Sequence, residues 1–437
     1  MQLRINESKF SFILRHINAI FIFVLLIYLP FSELFIHAIE SYTAWSGSMV
    51  FWVSHFYEPI LVILLLVNFL VFILDKKKKI EIIDYAAGLF VVWSLISIVI
   101  HHNDLQRGVE SLRFLILPFI VYLFVRFSKF ENGKKISTIY LTIAGVLATI
   151  GVFEYFFLPA NWVGNFLGIA GFGFGQNALE STNQASSFLA GPNQLASYLI
   201  LPYFYALHRA FISKKSFITQ WSNFLLLPLT LAIFLTFSRS AILGMLLGTL
   251  LILIFNIRPN RNKVGHVIVF ITACATLVVS YVMYGGGTVA DLMTHGASSA
   301  QHLSATENGW SSIVHSGFLN IIFGRGVGSA GPAALKFGGY ISENYYLQVL
   351  IEVGFIGFIV FATFFVGAIR DFYQRSKTLF FTIVALLVNA FFLHIFSDNP
   401  AMAVSIFIVM AVVVNLENAN QKPQIKTSNE AQSPNAS

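Results

Sequence analysis

SENYYLQVLIEVGFIGFIVF, residues Ser342 to Phe361, opens with a hydroxyl, an acid and an amide, then runs almost wholly apolar with Gly354 and Gly357 in its middle. About 20 apolar residues carry a helix across the roughly 30 Å of a bilayer's hydrocarbon, and this run continues to Ala368. It reads as a membrane-spanning helix with a polar mouth, and the side that mouth faces decides what the chain can do. Eleven comparable runs recur, near Ile17 to Ile36, Glu58 to Leu74, Ile82 to Ile100, Leu112 to Phe127, Ile136 to Leu158, Gln194 to Ile212, Phe224 to Phe237, Ala241 to Ile257, Val264 to Tyr284, Leu379 to Phe396 and Ala401 to Leu416. The expected fold is an all-α polytopic membrane protein of about twelve transmembrane helices.

Composition agrees. Hydrophobic residues make up 57% of the 437 and charged residues 11%, against roughly 25% charged in a soluble domain. The first run follows a basic leader, but it is too long for a signal peptide and no small-residue cleavage site closes it. Orientation follows from the 27 Lys and Arg. With the N-terminus in the cytoplasm they fall on inner loops such as Lys76 to Lys79, Lys134 to Lys135 and Arg258 to Lys263. Arg107, Arg113, Arg239, Arg325 and Lys336 alone are left for the outside. The positive-inside rule then places both termini in the cytoplasm. The net charge of +7 belongs to these loops and calls for no nucleic-acid partner. Cys274 is the only cysteine, so an intrachain disulfide is excluded.

The expected organisation is one transmembrane domain over residues 1–416 and a cytoplasmic tail, 417–437, with the composition of disordered chain. The long polar segments, about 159–193 and 285–342, face outward, so function is expected on the outer face. Within the second, LSATENGWSSIVHSGFLNII (Leu303 to Ile322) spaces Trp310, Ile313, Val314, Phe318, Ile321 and Ile322 as an amphipathic helix lying in the membrane interface would. Trp45 and Trp52 read as aromatic belt, with a second interfacial helix as the alternative. GVGSAG, Gly326 to Gly331, has the letters of a dinucleotide fingerprint but no preceding strand, and reads as a tight outward turn. No Walker A motif occurs, which removes ATP-driven pumping by this chain.

Arg239, in TFSRSAILG, stands between two apolar runs at their outer end. Its planar fork suits phosphate oxygens; snorkelling at a helix start is the competing reading. Arg107 and Arg113, in LQRGVESLR, carry a weaker form of the same argument, with interfacial anchoring as the alternative. His302 has no histidine or carboxylate at metal spacing and no thiol cluster surrounds Cys274, so neither a metal nor a cofactor is expected. Glu343 either caps the helix it precedes, where the macrodipole favours an acid, or works on a substrate. Charge in mid-membrane is expected to be almost absent, Glu154 near an outer end being the nearest exception.

AGPNQLASYL, FSRSAILG, GWSSIVHSGFLNIIFGRGVGSAG and ENYYLQVLIEVGFIG, in that order, resemble the O-antigen ligase and polymerase superfamily of bacterial envelope glycosyltransferases. The resemblance covers roughly Gly191 to the end of the Tyr345 to Ala368 run. It implies a GT-C-like helical enzyme of the inner membrane with a large periplasmic loop carrying interfacial helices. Such an enzyme moves a glycan from undecaprenyl pyrophosphate to a sugar hydroxyl. In the ligase branch a histidine occupies the position of Glu343, while Asn344, Gly354 and Gly357 keep the ligase spacing. The glutamate favours a Wzy-type polymerase extending O-antigen or capsule repeat by repeat. The alternatives are a ligase passing polymer to lipid A-core, and a lipid-linked oligosaccharide flippase, against which the absence of an internal repeat counts.

No nucleotide is available outside the membrane, so a transferase there needs a donor that already carries its leaving group. The catalytic candidates are Arg239, for the departing pyrophosphate, and Glu343 and His302, for the acceptor proton. Arg107, Arg113, Asn193, Arg325, Asn344 and Tyr345 are the substrate-binding candidates. Gly354 and Gly357 would let helices pack closely. The expected partners are lipid-linked donor and acceptor, membrane lipid, a chain-length regulator and a flippase.

Overall fold

The computed structural model describes residues 7–42, 49, 55–74, 80–101, 105–128, 133–158, 184–189, 191–212, 224–256, 271, 274–275, 278–279, 296–337 and 339–420. Its secondary structure among the described residues is helical, without strands. In chain order the helices are α1 (Glu7–Tyr28), α2 (Ser32–Tyr42), α3 (Tyr57–Leu74), α4 (Ile82–Ile100), α5 (Leu105–Phe127), α6 (Gly133–Phe157), α7 (Pro192–Ile212), α8 (Leu226–Leu235), α9 (Arg239–Asn256), α10 (Gly296–Val314), α11 (Phe318–Phe323), α12 (Tyr345–Arg375), α13 (Lys377–Ala390), α14 (Ile395–Asp398) and α15 (Pro400–Asn420). Four stretches, Phe12–Phe31, Ile82–Ile100, Lys135–Phe157 and Tyr345–Arg375, are long and apolar enough to cross a membrane, and five shorter helices are equally apolar. Most of the expected Val264 to Tyr284 span, Trp45 and Trp52, most of the 159–193 loop and residues 421–437 lie outside the described residues.

Exposed apolar side chains such as Ile63, Leu70, Val99 and Val366 mark surfaces suited to lipid. Between the helices aromatic rings interlock: Phe119 of α5 meets Phe90 of α4 at 4.5 Å, Phe364 of α12 at 4.9 Å and Phe407 of α15 at 5.1 Å between centroids. Polar pairs fix register where apolar packing cannot. Asn18 and Asn68 exchange amide hydrogen bonds between α1 and α3. Asp84 of α4 accepts from Tyr122 and Arg126 of α5, and Arg126 also donates to Asn415 of α15.

Two apolar runs break where the sequence reads as continuous. Pro30 interrupts the first with a 3-10 turn, Leu29–Phe31. The Phe224 to Phe237 run ends about where expected, its helix closing at Leu235 and Phe237 taking a φ of 52° before α9 begins. The Leu379 to Phe396 run stops at Ala390 and restarts only at Ile395. The expected interfacial helix is likewise two helices, α10 and α11, parted at Gly317.

A further break shapes the core of the fold. Gly354 lies inside α12 with φ 68° and ψ −174°, a conformation open essentially to glycine alone. The carbonyls released there find new donors: Ile351 accepts from Arg325 N (2.7 Å), Glu352 from Gly326 N (3.1 Å) and Val353 from the Trp93 indole (2.8 Å). Non-helical backbone at membrane depth is tolerated where protein satisfies it in this way. Arg325 and Gly326 supply two of those donors, and the GVGSAG turn is thereby buried against protein. It is tucked against α4, α5 and α12, with His101 bonded to the Gly324 carbonyl and Arg107 donating twice to the Gly328 carbonyl. Gly354 thus serves a close approach, but to the backbone of this loop, whose Gly324 nitrogen would lie 2.2 Å from an added Cβ. Gly357 packs against Trp93 and Val353.

Glu352 is an acidic residue well inside the Tyr345 to Ala368 run that the expectation of almost no charge there left out. This side chain, 1% exposed within α12, accepts from Ala330 N at 3.3 Å. Burying a carboxyl is costly unless it is bonded, and the returning loop carries the donor.

Candidate active site

Among the described residues only Ser187, Phe237 and Glu343 are non-glycine residues with positive φ, at 54°, 52° and 56°. A left-handed residue with a side chain costs about 1–2 kcal/mol, and such strain concentrates at functional sites. The surroundings hold each in place. Ser187 and Ser186 donate their backbone N–H groups to Glu154 at 2.7 and 3.0 Å, which gives Glu154 a structural task. Beside Glu343, Asn344 caps α12 by accepting from Leu347 N at 3.1 Å and donates to the Phe391 carbonyl at 2.7 Å. The Ser342 hydroxyl is buried and donates to the Asn344 carbonyl at 3.1 Å. With both neighbours fixed, the left-handed turn aims the Glu343 carboxylate into a cavity.

Its partner there is His302. The carboxylate pairs with His302 Nδ1, the two side chains being 17% and 34% exposed. Burial alone would raise the pKa of Glu343, but the hydrogen bond with His302 and the electrostatic pull of the His302 and His394 imidazoles outweigh it and hold the carboxyl below its ordinary value. His302 reaches this point because α10 crosses the α12 neck at Gly309, where an added Cβ would meet Ser342 at 3.3 Å. The helix has distinct faces: His302 and Thr306 look into the site, Leu303, Trp310 and Val314 form an exposed apolar stripe, and Asn308, Ser312 and His315 line a separate polar groove.

Two cavities meet at His302. The larger, about 550 Å³, is walled by Phe237, Leu243, Leu303, Phe391, Phe392 and Leu393, with Arg239, Asn193, Gln184 and Asn344 among its polar groups. Phe391 is 58% and Phe392 47% exposed, so one wall opens to apolar surroundings. Arg239 sits at the first position of α9, a place where the helix macrodipole disfavours a cation; cation and dipole together favour an anion in the cavity. The smaller cavity, about 210 Å³, is polar, lined by Asn193, Gln194, Ser197, Glu343, His394, Asp398 and Asn399. His302, Asn193 and Leu393 line both.

Of the residues expected from sequence, Arg239, His302, Glu343, Asn193 and Asn344 come together here. Tyr345 does not. It is wholly buried, packed between Phe361 and Phe396 at 5.5 and 5.4 Å, because the first turn of α12 turns it into the core. Arg107 is spent on the Gly328 carbonyl. Arg113 pairs with His55 and faces the Phe114 ring. Arg325 lines the separate groove. Sequence reading missed Gln194, His394, Asp398 and Asn399. Gln194 donates to Asp398, Asn399 Nδ2 donates to the Gln194 carbonyl at 2.8 Å, and His394 Nε2 lies 3.9 Å from Asp398. The available signal was SDNP, Ser397 to Pro400, a polar helix junction that begins three residues after a histidine. Among the described residues no three His, Cys, Asp or Glu side chains gather as a metal site requires.

Residues 224–362 match the family model described as O-antigen ligase. The match supports the O-antigen ligase and polymerase superfamily and, with the apolar helices, a membrane-embedded, glycosyltransferase-like enzyme of O-antigen processing. It contains Arg239, His302 and Glu343, while Gln194, His394 and Asp398 fall outside it. No curated protein matches the sequence.

Proposed function

We propose that the protein is a Wzy-type polysaccharide polymerase of the bacterial inner membrane, with its active site on the periplasmic face. It transfers a glycan from undecaprenyl pyrophosphate to the terminal sugar hydroxyl of another lipid-linked repeat. In this reading all twelve apolar runs cross the membrane, both termini are cytoplasmic, and a flippase and a chain-length regulator work alongside. The observation that carries it is the His302–Glu343 pair standing where an apolar, arginine-bearing cavity meets a polar one.

The larger cavity suits a polyprenyl chain with its pyrophosphate at Arg239; the smaller suits the reacting sugar. His302 turns Nδ1 to Glu343, which leaves Nε2 to take the acceptor proton. The acceptor oxygen then bonds to the anomeric carbon as that carbon's bond to the pyrophosphate oxygen breaks. The electron pair leaves with the lipid pyrophosphate, whose growing charge Arg239 meets, and the proton passes from His302 to water. Where the ligase branch carries a histidine at the position of Glu343, this chain brings its imidazole from α10 and uses the carboxylate to orient it.

The test is purified protein in proteoliposomes given lipid-linked repeat units. Polymer should form in the presence of EDTA and without nucleotide. Activity restored only by a divalent ion would refute the metal-free reaction. Transfer to lipid A-core without polymer would replace the polymerase reading by the ligase one, and movement of lipid-linked glycan with no new bond would replace it by the flippase.

A further inference from the structure

The α10 face opposite the dyad remains without a role in this chemistry. There Asn308, Ser312 and His315 of α10, with Asn320 of α11, Arg325 and Tyr340, line a groove of about 580 Å³. Residues 308, 312 and 315 are spaced four and three apart and so share one helix face. The groove is built to hold its shape. Arg325 is fixed by its backbone N–H to the Ile351 carbonyl at 2.7 Å and by its guanidinium to the Ser312 hydroxyl. The Tyr340 hydroxyl is enclosed with no hydrogen-bond partner among the described residues. An enclosed hydroxyl without a partner is an unmet demand for one.

The donors and acceptors here are mostly neutral amides and hydroxyls, with one guanidinium, the His315 imidazole and one phenol ring. That mixture matches the many hydroxyls of a carbohydrate better than it matches an anion, which would draw more than one cation. The position fits as well. Tyr340 lies three residues before Glu343, at most roughly 11 Å of extended chain, and Asn308 lies six helical residues from His302, roughly 9 Å along α10. A short oligosaccharide reaches from one site to the other. We infer that this groove binds saccharide, holding the sugars of a glycan remote from the bond being made while its reacting end lies at His302. The choice of ligand rests on the glycosyl-transfer reading above.

The probe is the repeat-unit oligosaccharide released by mild acid from the producing strain's own surface polysaccharide, titrated calorimetrically into the intact protein in nanodiscs. Asn308→Ala, Asn320→Ala and Arg325→Gln alter exposed side chains, and an unchanged thermal midpoint verifies each fold. Each should bind the oligosaccharide about fivefold more weakly, the worth of one hydrogen bond. In the polymerisation assay each should shorten the chains while leaving the rate of a first single transfer unchanged. Wild-type affinity in all three variants, no binding by the wild type, or displacement of the sugar by inorganic phosphate would overturn the inference. Oligosaccharide binding that weakens in the variants of a protein that forms no polymer would keep the groove and reject the polymerase.

Discussion

Glu343 holds a strained backbone and a carboxylate at one position, and two substitutions separate them. Glu343→Ala removes the carboxylate and keeps a Cβ in the left-handed turn at φ 56°. Glu343→Gly removes both. Relief of the left-handed conformation returns about 1–2 kcal/mol, and glycine's freer unfolded chain takes back about 0.4–1. The glycine variant should therefore be more stable than the alanine variant by about 0.5–1 kcal/mol. Both lose the pair with His302, which at 34% exposure is worth at most about 1 kcal/mol after screening. The glycine variant should thus melt close to wild type and the alanine variant below it, while both lose about 10²–10⁴-fold in transfer rate, the worth of a positioned acid–base group. Thermal melts in one detergent and initial rates of polymer formation measure the two effects. Equal stability of the two variants would refute the strained turn, and wild-type turnover in either would refute the role of the carboxylate.

If Arg239 meets the pyrophosphate through charge and fork together, Arg239→Lys should keep little activity and Arg239→Ala less at equal protein level, as read from gel profiles of the polysaccharide; normal chains in the alanine variant would make it a snorkelling anchor. Gly354→Ala should lower yield and thermal midpoint more than Gly88→Ala, since a Cβ at Gly354 meets backbone at 2.2 Å while one at Gly88 meets nothing within 4 Å; equal midpoints would contradict the broken helix. The pKa of Glu343 is depressed on folding, so its contribution to stability is present above its unfolded value and lost as pH falls through the folded one. Glu343→Gln should therefore melt below wild type from about pH 5 upward and converge with it in stronger acid; a gap that widens in acid would show the opposite shift.

Much of this was legible. Length and hydropathy announce α4, α6 and α12 because a helix crossing lipid must satisfy its own backbone, and only long apolar runs do so cheaply. Arg239, His302 and Glu343 were each visible as polar residues where the pattern did not require them. Their meeting was not, since His302 and Glu343 are brought together by the crossing of α10 at Gly309, a tertiary event with no local signature. The breaks at Ala390 and Gly354 were hidden because the flanking residues stay apolar, and their released carbonyls are satisfied by donors far away in sequence, Trp93 and Gly326 among them. Reading the Leu379 to Phe396 run as unbroken buried His394 in an imagined helix and left Asp398 as part of a short connection. Glu352 escaped notice for the same reason: one carboxyl barely dents the hydropathy of its run.

The two halves of the dyad are anchored differently. Glu343 hangs from the neck of α12, the longest apolar helix among the four candidate spans. His302 rides on α10, whose stripe of Leu303, Trp310 and Val314, exposed by 57–67%, suits a helix floating in the headgroup layer. On the proposed glycosyl-transfer reading the vertical offset between the two depends on where the lipid surface lies, and the bilayer becomes part of the ruler that sets the distance between the base and its orienting carboxylate. Turnover should pass through a maximum as acyl-chain length is varied in reconstituted vesicles, and Trp310→Ser should blunt that maximum. A rate indifferent to lipid thickness would mean that Gly309 and the α12 neck hold the histidine without help from the membrane.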